Sequence, residues 1–279
     1  MSISHEKHAR KMLLKIGDSV DDDFDLLTGA FYFAVLNRPS VLVDEYIEHM
    51  SQIACAAAIP RMWPSMNAEG AAKHLKNIIA VKYCYTGDVE TYDDLQNADL
   101  FGVIDRRRGL PVALGIIYID IGRRLGWKMR GLSFSGHFLV QLEIEGQRVI
   151  IDPFTDGRIL NPSDLRVMVK TIFGMDRELQ PHDYAPISDR AILLRLQNNV
   201  KFRHMQLRNI VAALKTVKEM LLVAPKSANL WWDAAMLNAE MENLNAAYSA
   251  LEKFIRLDSS KIKRFRAKNL MEHIRKRMN

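Results

Sequence analysis

The sequence predicts an α+β fold, with N-terminal helices, a core carrying a small antiparallel sheet, and an all-helical C-terminal part. Three observations carry this. Residues 128–152 read as strands folded about the turn signal Glu145-Gly146, Leu110 to Leu125 is apolar almost all round, and after Pro186 only helical periodicity remains. With 279 residues at 48% hydrophobic content, the chain can fill one large core or two ordinary ones, and the change at Pro186 sets expected domains at 1–186 and 187–279.

In chain order, Asp25 to Leu36 predicts a helix that stops at Asn37-Arg-Pro39, where proline disfavours continuation. Val43 to Ala58 predicts a second, with Tyr46, Ile47, Met50, Ile53 and Ala54 on one stripe and Pro60 beyond its end. Ala68 to Tyr83 predicts a third. None presents an acidic or nucleophilic cluster on one face, so all three read as support. Leu110 to Leu125 predicts a buried central helix. Pro111 suits its first turn, where a missing N–H breaks no intrahelical bond, and Gly126 suits its stop.

Lys128 to Phe134, His137 to Ile144 and Arg148 to Asp152 then predict three strands. A turn centred on Glu145 and Gly146 pairs Ile144 with Gln147, which by counting outward sets Leu139 opposite Asp152 and His137 opposite Phe154. Opposed residues share a face, so His137 and Asp152 are expected as diagonal neighbours within side-chain reach. Phe138, Val140, Leu142, Ile144, Val149 and Ile151 form the expected core face. The face with His137, Leu139, Gln141, Glu143, Ile150 and Asp152 is mixed, as where polar work is done.

Past Pro186, helices are predicted over 191–205, 207–222, 227–240 and 245–257. A shift of 34 residues superposes the second pair on the first, matching Ala213 to Ala247, Val217 to Leu251 and Met220 to Phe254. That is the tetratricopeptide period, with Ala247 at the small-residue position for close helix packing. Ala235 and Asn238 depart from the Gly and Tyr usual in that motif, so a generic helical bundle stays open. The last segment, Lys261 to Asn279, holds eight Lys or Arg against Glu272 alone. It carries +7 of a formal charge of +6 and leaves −1 for the rest of the chain. Ile262, Phe265, Leu270 and Ile274 give it an apolar side as well, consistent with a solvated basic helix docked on the body.

Composition excludes several classes. Cys55 and Cys84 are the two cysteines, which allows neither a disulfide framework nor a CxxC zinc site and suits a reducing, cytoplasmic location. The N-terminus is too polar for a signal peptide, and no run of about 18 apolar residues marks a membrane span. His137, Asp152 and Asp156 lack the second histidine that a zinc site would use, so no metal is expected, and no glycine-rich phosphate loop points to a cofactor. Arg106-Arg107-Arg108 could hold an anion near the helix start but reads as a solvated loop. Basic and aromatic residues are not interleaved, which argues against nucleic acid as the main ligand.

At Arg108-Gly-Leu-Pro-Val-Ala-Leu-Gly-Ile-Ile-Tyr-Ile-Asp-Ile-Gly-Arg-Arg-Leu-Gly126, Gly136-His-Phe-Leu-Val140 and Ile151-Asp-Pro-Phe154, the chain resembles the SirB family of transglutaminase-like proteins. The resemblance runs from about Phe24 to Leu257. It implies a transglutaminase-like, papain-related core followed by tetratricopeptide repeats. The wider superfamily uses Cys, His and Asp; the resemblance puts the His at His137, the Asp at Asp152 and the thiol position, counted back from the Leu-Gly pair, at Pro111. Family members commonly carry Ser two residues after that proline, where this chain has Ala113.

Triad chemistry needs a thiolate or alkoxide beside the imidazole, and Pro111 supplies neither. Cys55, in an alanine-rich helix, and Cys84, between two tyrosines, both read as packed side chains, although Cys84 is near enough in sequence to the core for an approach to His137 to stay open. Two functional readings follow. The first is a non-catalytic transglutaminase-like module that binds a protein partner through the tetratricopeptide-like helices, with a closed surface at His137. The second is a hydrolase or amide-bond enzyme using the His137/Asp152 pair with water or a displaced nucleophile, and N–H groups near Val112 and Ala113 for an oxyanion. It predicts an accessible His137 ring. The sequence leans toward the first.

Overall fold

The computed structural model describes residues 2–21, 23–58, 66–134 and 136–278. Helix α1 is Ser2–Asp18; α2 (Leu26–Asn37) starts at Asp25, whose carboxylate accepts the Thr28 N–H at 2.6 Å; α3 is Val43–Ala57. The proline expected beyond α3, Pro60, lies outside the described residues. Helix α4 (Ala68–Lys76) starts at Asn67, whose side chain takes the Gly70 N–H at 2.8 Å. It continues as wider π-type turns over Asn77–Lys82, so the predicted helix to Tyr83 holds only in its first half as an α-helix. Strand β1 (Thr86–Gly87), helix α5 (Leu100–Arg106) and strand β2 (Arg108–Gly109) follow, and β1 and β2 pair in parallel. Helix α6 is Pro111–Arg124. Strands β3 (Lys128–Leu132), β4 (Leu139–Ile144), β5 (Gln147–Asp152) and β6 (Arg158–Leu160) come next. Helix α7 (Pro162–Phe173), strand β7 (Pro186–Ile187) and helix α8 (Asp189–Gln206) come after them. The chain ends with α9 (Ile210–Val223), α10 (Ala228–Glu240), α11 (Leu244–Leu257) and α12 (Lys261–Met278).

Residue contacts divide the chain into two units. One takes Asp21–Leu196 with the first residues to His5, the other Glu6–Val20 with Gln197–Asn279. The units thus divide inside α8, between residues 196 and 197, where the sequence put the boundary at 186/187, and α1 gives most of its length to the second unit.

In the first unit the sheet order is β6-β5-β4-β3-β7, antiparallel throughout. The predicted register holds from Ile144–Gln147 to Val140–Ile151. Glu145 and Gly146 supply the two positive φ angles, 49° and 80°, that match a two-residue turn to strand twist. Helix α6 lies on the core face through two glycines. A Cβ at Gly115 would stand 2.3 Å from the Phe138 ring, and one at Gly122 would stand 2.6 Å from Met129. Phe138, Val140, Leu142 and Ile151 are buried there. The other face, expected to be mixed, is largely covered. Leu132, Phe134, Leu139 and Leu160 pack with Leu165 and Val169 of α7, and Gln141 is itself buried.

In the second unit, the positions superposed by the 34-residue shift are buried in pairs: Ala213 and Ala247, Val217 and Leu251, Met220 and Phe254. Ala235 fits the α10 interior without the glycine usual there, and Asn238 satisfies its buried amide on the Ala234 carbonyl at 2.7 Å. Helix α1 buries Ala9, Leu13 and Ile16. Its Gly17 comes so close to α9 that a Cβ would stand 2.1 Å from the Leu222 carbonyl oxygen.

Candidate functional site

The start of α6 is held from below by a buried polar network. The Leu110 N–H donates to the Asn97 carbonyl at 3.0 Å and the Asp88 N–H to the Gly109 carbonyl at 3.3 Å. The Asp88 carboxylate, 1% exposed, takes the Thr91 N–H at 2.8 Å, the Thr91 hydroxyl at 2.6 Å and the Arg106 guanidinium at 2.6 Å. Arg106 also donates to Asn97 Oδ1 at 2.9 Å. Burial alone would push the Asp88 carboxyl up, but the Thr91, Arg106 and Asn97 donors together hold it well below its ordinary range. The predicted solvated arginine loop is therefore mostly engaged. Arg106 closes this network and Arg107 bonds the buried Tyr85 hydroxyl, which lies 3.0 Å from His49 Nε2; Arg108 meets Glu90 at 3.3 Å.

Pro111 occupies the first turn of α6, as predicted, with Val112 and Ala113 buried behind it. His137 is exposed and lies outside the ladder, because its N–H turns back to the Phe134 carbonyl at 2.8 Å after Gly136 takes a φ of 71°. Strand β4 consequently begins at Leu139, two residues later than expected. Neither ring nitrogen of His137 has a hydrogen bond or ion pair among the described residues. Its carbonyl accepts from Arg195 at 2.8 Å; Arg195 also donates to the Ser133 hydroxyl at 2.8 Å and lies over the Phe138 ring.

Asp152 ends β5 as counted, but its carboxylate points into its own loop. Oδ1 takes the Phe154 N–H at 2.9 Å and Oδ2 the Thr155 hydroxyl at 2.8 Å. Among the described residues no hydrogen bond or ion pair joins the expected His137/Asp152 pair. The local bonds win because an aspartate two residues ahead of a free N–H closes an Asx turn without any tertiary contact. Asp156, in the left-handed region at φ 54°, accepts the Thr86 hydroxyl at 2.6 Å. Between these carboxylates and the core stands Tyr118 of α6, fully buried, its hydroxyl without a hydrogen-bond partner among the described residues. Burial, then Asp156 and Asp152, push its phenol up. Gly157 is required above it: a Cβ there would stand 2.5 Å from the Tyr118 oxygen.

Both thiols differ from expectation, since Cys55 and Cys84 are exposed. Cys55 lies off the stripe whose Met50 and Ile53 are buried, and Cys84 sits in a left-handed turn at φ 58° with its Sγ 3.6 Å from the Val81 carbonyl. Nothing connects Cys84 with His137 among the described residues. No group of three or more His, Cys, Asp or Glu side chains there could hold a metal ion, and no helix there is long and apolar enough to cross a membrane. Sequence reasoning missed Asp88, Thr91, Asn97, Tyr118 and Arg195. Asp88 and Thr91 had a signal in their three-residue spacing, whereas Arg195 lies on a helix far along the chain and had none.

Comparison with known proteins fits this geometry. The pattern of the transglutaminase-like superfamily matches residues 44–198, and a tetratricopeptide repeat pattern matches residues 200–272. A UPF0162 protein of Xylella fastidiosa strain 9a5c is 27% identical over 227 residues, covering 79% of this chain and 77% of that protein. A UPF0162 protein of Vibrio cholerae is 27% identical over 172 residues, 61% of this chain and 63% of its own length. Protein SirB1 of Salmonella typhimurium is 24% identical over 187 residues, 66% of this chain and 69% of its own length. The chain belongs to the transglutaminase-like superfamily, in the SirB-like group that follows this core with tetratricopeptide repeats.

Proposed function

We propose that the chain is a non-catalytic protein-interaction or regulatory module, in which the transglutaminase-like core serves as a scaffold and the tetratricopeptide helices receive a protein partner. The observation that carries this is the state of Asp152. With both oxygens bonded to Phe154 and Thr155, it makes no bond that would orient the His137 imidazole, and Pro111 offers that imidazole nothing to activate. Tetratricopeptide repeats generally present a surface to other proteins. A cytoplasmic setting suits two exposed, unpaired thiols. The test is to offer the full chain amide and ester substrates, and an amine acceptor for transamidation, alongside His137→Ala. No turnover above buffer is the expected result.

One observation favours the second reading: the His137 ring is exposed, as a hydrolase using water requires. Turnover abolished by His137→Ala, with an unchanged melting curve, would establish that reading and remove the first.

A further inference from the structure

We infer that a pocket in the tetratricopeptide unit takes an acidic peptide segment of a partner protein, seating a carboxylate between Lys263 and Arg266 and an apolar side chain on Trp232 and Phe254. This rests on the protein-interaction reading and names the partner's chemistry.

The pocket has a volume of about 240 Å³ and is lined by Asn229, Trp232, Phe254, Lys263 and Arg266. Its parts come from three helices. Asn229 and Trp232 stand one turn apart on α10, Lys263 and Arg266 one turn apart on α12, so each helix directs a pair of side chains to one side. Phe254 of α11, 2% exposed, forms the floor, its ring centroid 5.1 Å from that of Trp232. The volume falls below the roughly 300–1,000 Å³ usual for small-molecule sites, which suits one anchored side chain of a longer ligand.

The charge is only partly committed. Arg266 has no hydrogen bond or ion pair among the described residues, and Lys263 makes a long ion pair with Asp258 at 3.9 Å. Both side chains stand on the segment that carries +7 against −1 for the remainder, so the positive field is concentrated beside an apolar floor. Trp232 and Asn229 bring N–H donors for peptide carbonyls. Single-stranded nucleic acid needs open ring faces on which bases stack, and here Phe254 is buried and Trp232 half-buried; the site offers depth for a side chain instead.

The test uses the full chain and fluorescence anisotropy at physiological salt, with a fluorescein-labelled, end-blocked Glu-Glu-Leu-Glu-Glu peptide and its Gln-Gln-Leu-Gln-Gln counterpart. The glutamate peptide is expected to bind about tenfold or more tighter, and Lys263→Glu with Arg266→Glu to weaken it by about tenfold or more. Both side chains are exposed, so matching melting curves verify that the double variant folds. Equal binding of the two peptides, or undiminished binding by the double variant, overturns the proposal. So does tighter binding of a short oligothymidylate through the same two cations. A protein captured equally by the wild-type chain and the double variant overturns the pocket while leaving the protein-interaction reading in place. His137-dependent turnover removes that reading without touching the peptide result.

Discussion

Replacing Asp88 by asparagine tests what holds the start of α6. Asp88→Asn keeps the side chain's shape and can still accept from Thr91, but it removes the charge facing Arg106 at 2.6 Å. Breaking a buried ion pair by removing one partner costs about 3–5 kcal/mol. The Arg106 side chain is 27% exposed and keeps its bond to Asn97 Oδ1 at 2.9 Å, so water and Asn97 recover part of that and about 3 kcal/mol is the working figure. For a unit of this size each kcal/mol moves the melting temperature by about 2–4 °C, giving a drop on the order of 10 °C in its transition. The pH dependence has a definite sign. The folded carboxyl titrates below its ordinary value of 3.8, so its contribution is complete above about pH 4 and is lost as pH falls through the folded value. Calorimetry of the two proteins from pH 7 to pH 3 should show the gap between them closing on the acid side. A gap under about 1 kcal/mol at pH 7, or one that persists unchanged at pH 3, would refute the network's role.

Asp152→Ala should destabilise the first unit by about 1–2 kcal/mol through loss of the Phe154 and Thr155 bonds, while His137→Ala changes it by less than about 0.5; equal losses in urea unfolding would mean the two are coupled after all. Asp120, buried beside Arg124 at 2.9 Å, has its carboxyl pushed up to about 6, first by burial and against the pull of Arg124. Its protonated form is the favoured folded one, so stability falls as pH rises through about 6, and Asp120→Asn should gain about 1–2 kcal/mol on wild type at pH 8 and almost nothing below pH 4. A variant that loses stability at pH 8 would show that the ion pair outweighs burial. Gly17→Ala should cost about 3 kcal/mol in the second unit, because the added Cβ meets backbone that cannot rotate away; wild-type melting would contradict the close approach of α1 to α9.

Elements with strong periodicity or punctuation were legible from residues alone. Pro111 and Gly126 bracket α6 within two residues, Glu145-Gly146 fixes the hairpin register, and the 34-residue shift finds paired core positions. The two-residue strands β1 and β2 have no alternation to read. Helix α7, absent from the sequence reading, had a readable start in Asn161, whose side chain accepts the Asp164 N–H while Asp164 accepts the Asn161 N–H. The His137/Asp152 pairing failed for a different reason. Register counting locates Cα atoms, but a carboxylate chooses among donors, and its own loop offered two at no entropic distance. Exposure of Cys55 was legible in the α3 stripe, since Met50 and Ile53 mark the buried side and Cys55 falls outside it.

The Asx turn at Asp152 also bears on whether triad chemistry can be built at this site. Pro111→Cys would place a thiol at the first turn of α6, but His137 has no carboxylate bonded to it among the described residues, and the turn would have to open for Asp152 to supply one. On the non-catalytic reading, triad chemistry therefore takes at least two coordinated changes, one at the helix start and one in the loop after β5, and a substitution at position 111 supplies only the first of them.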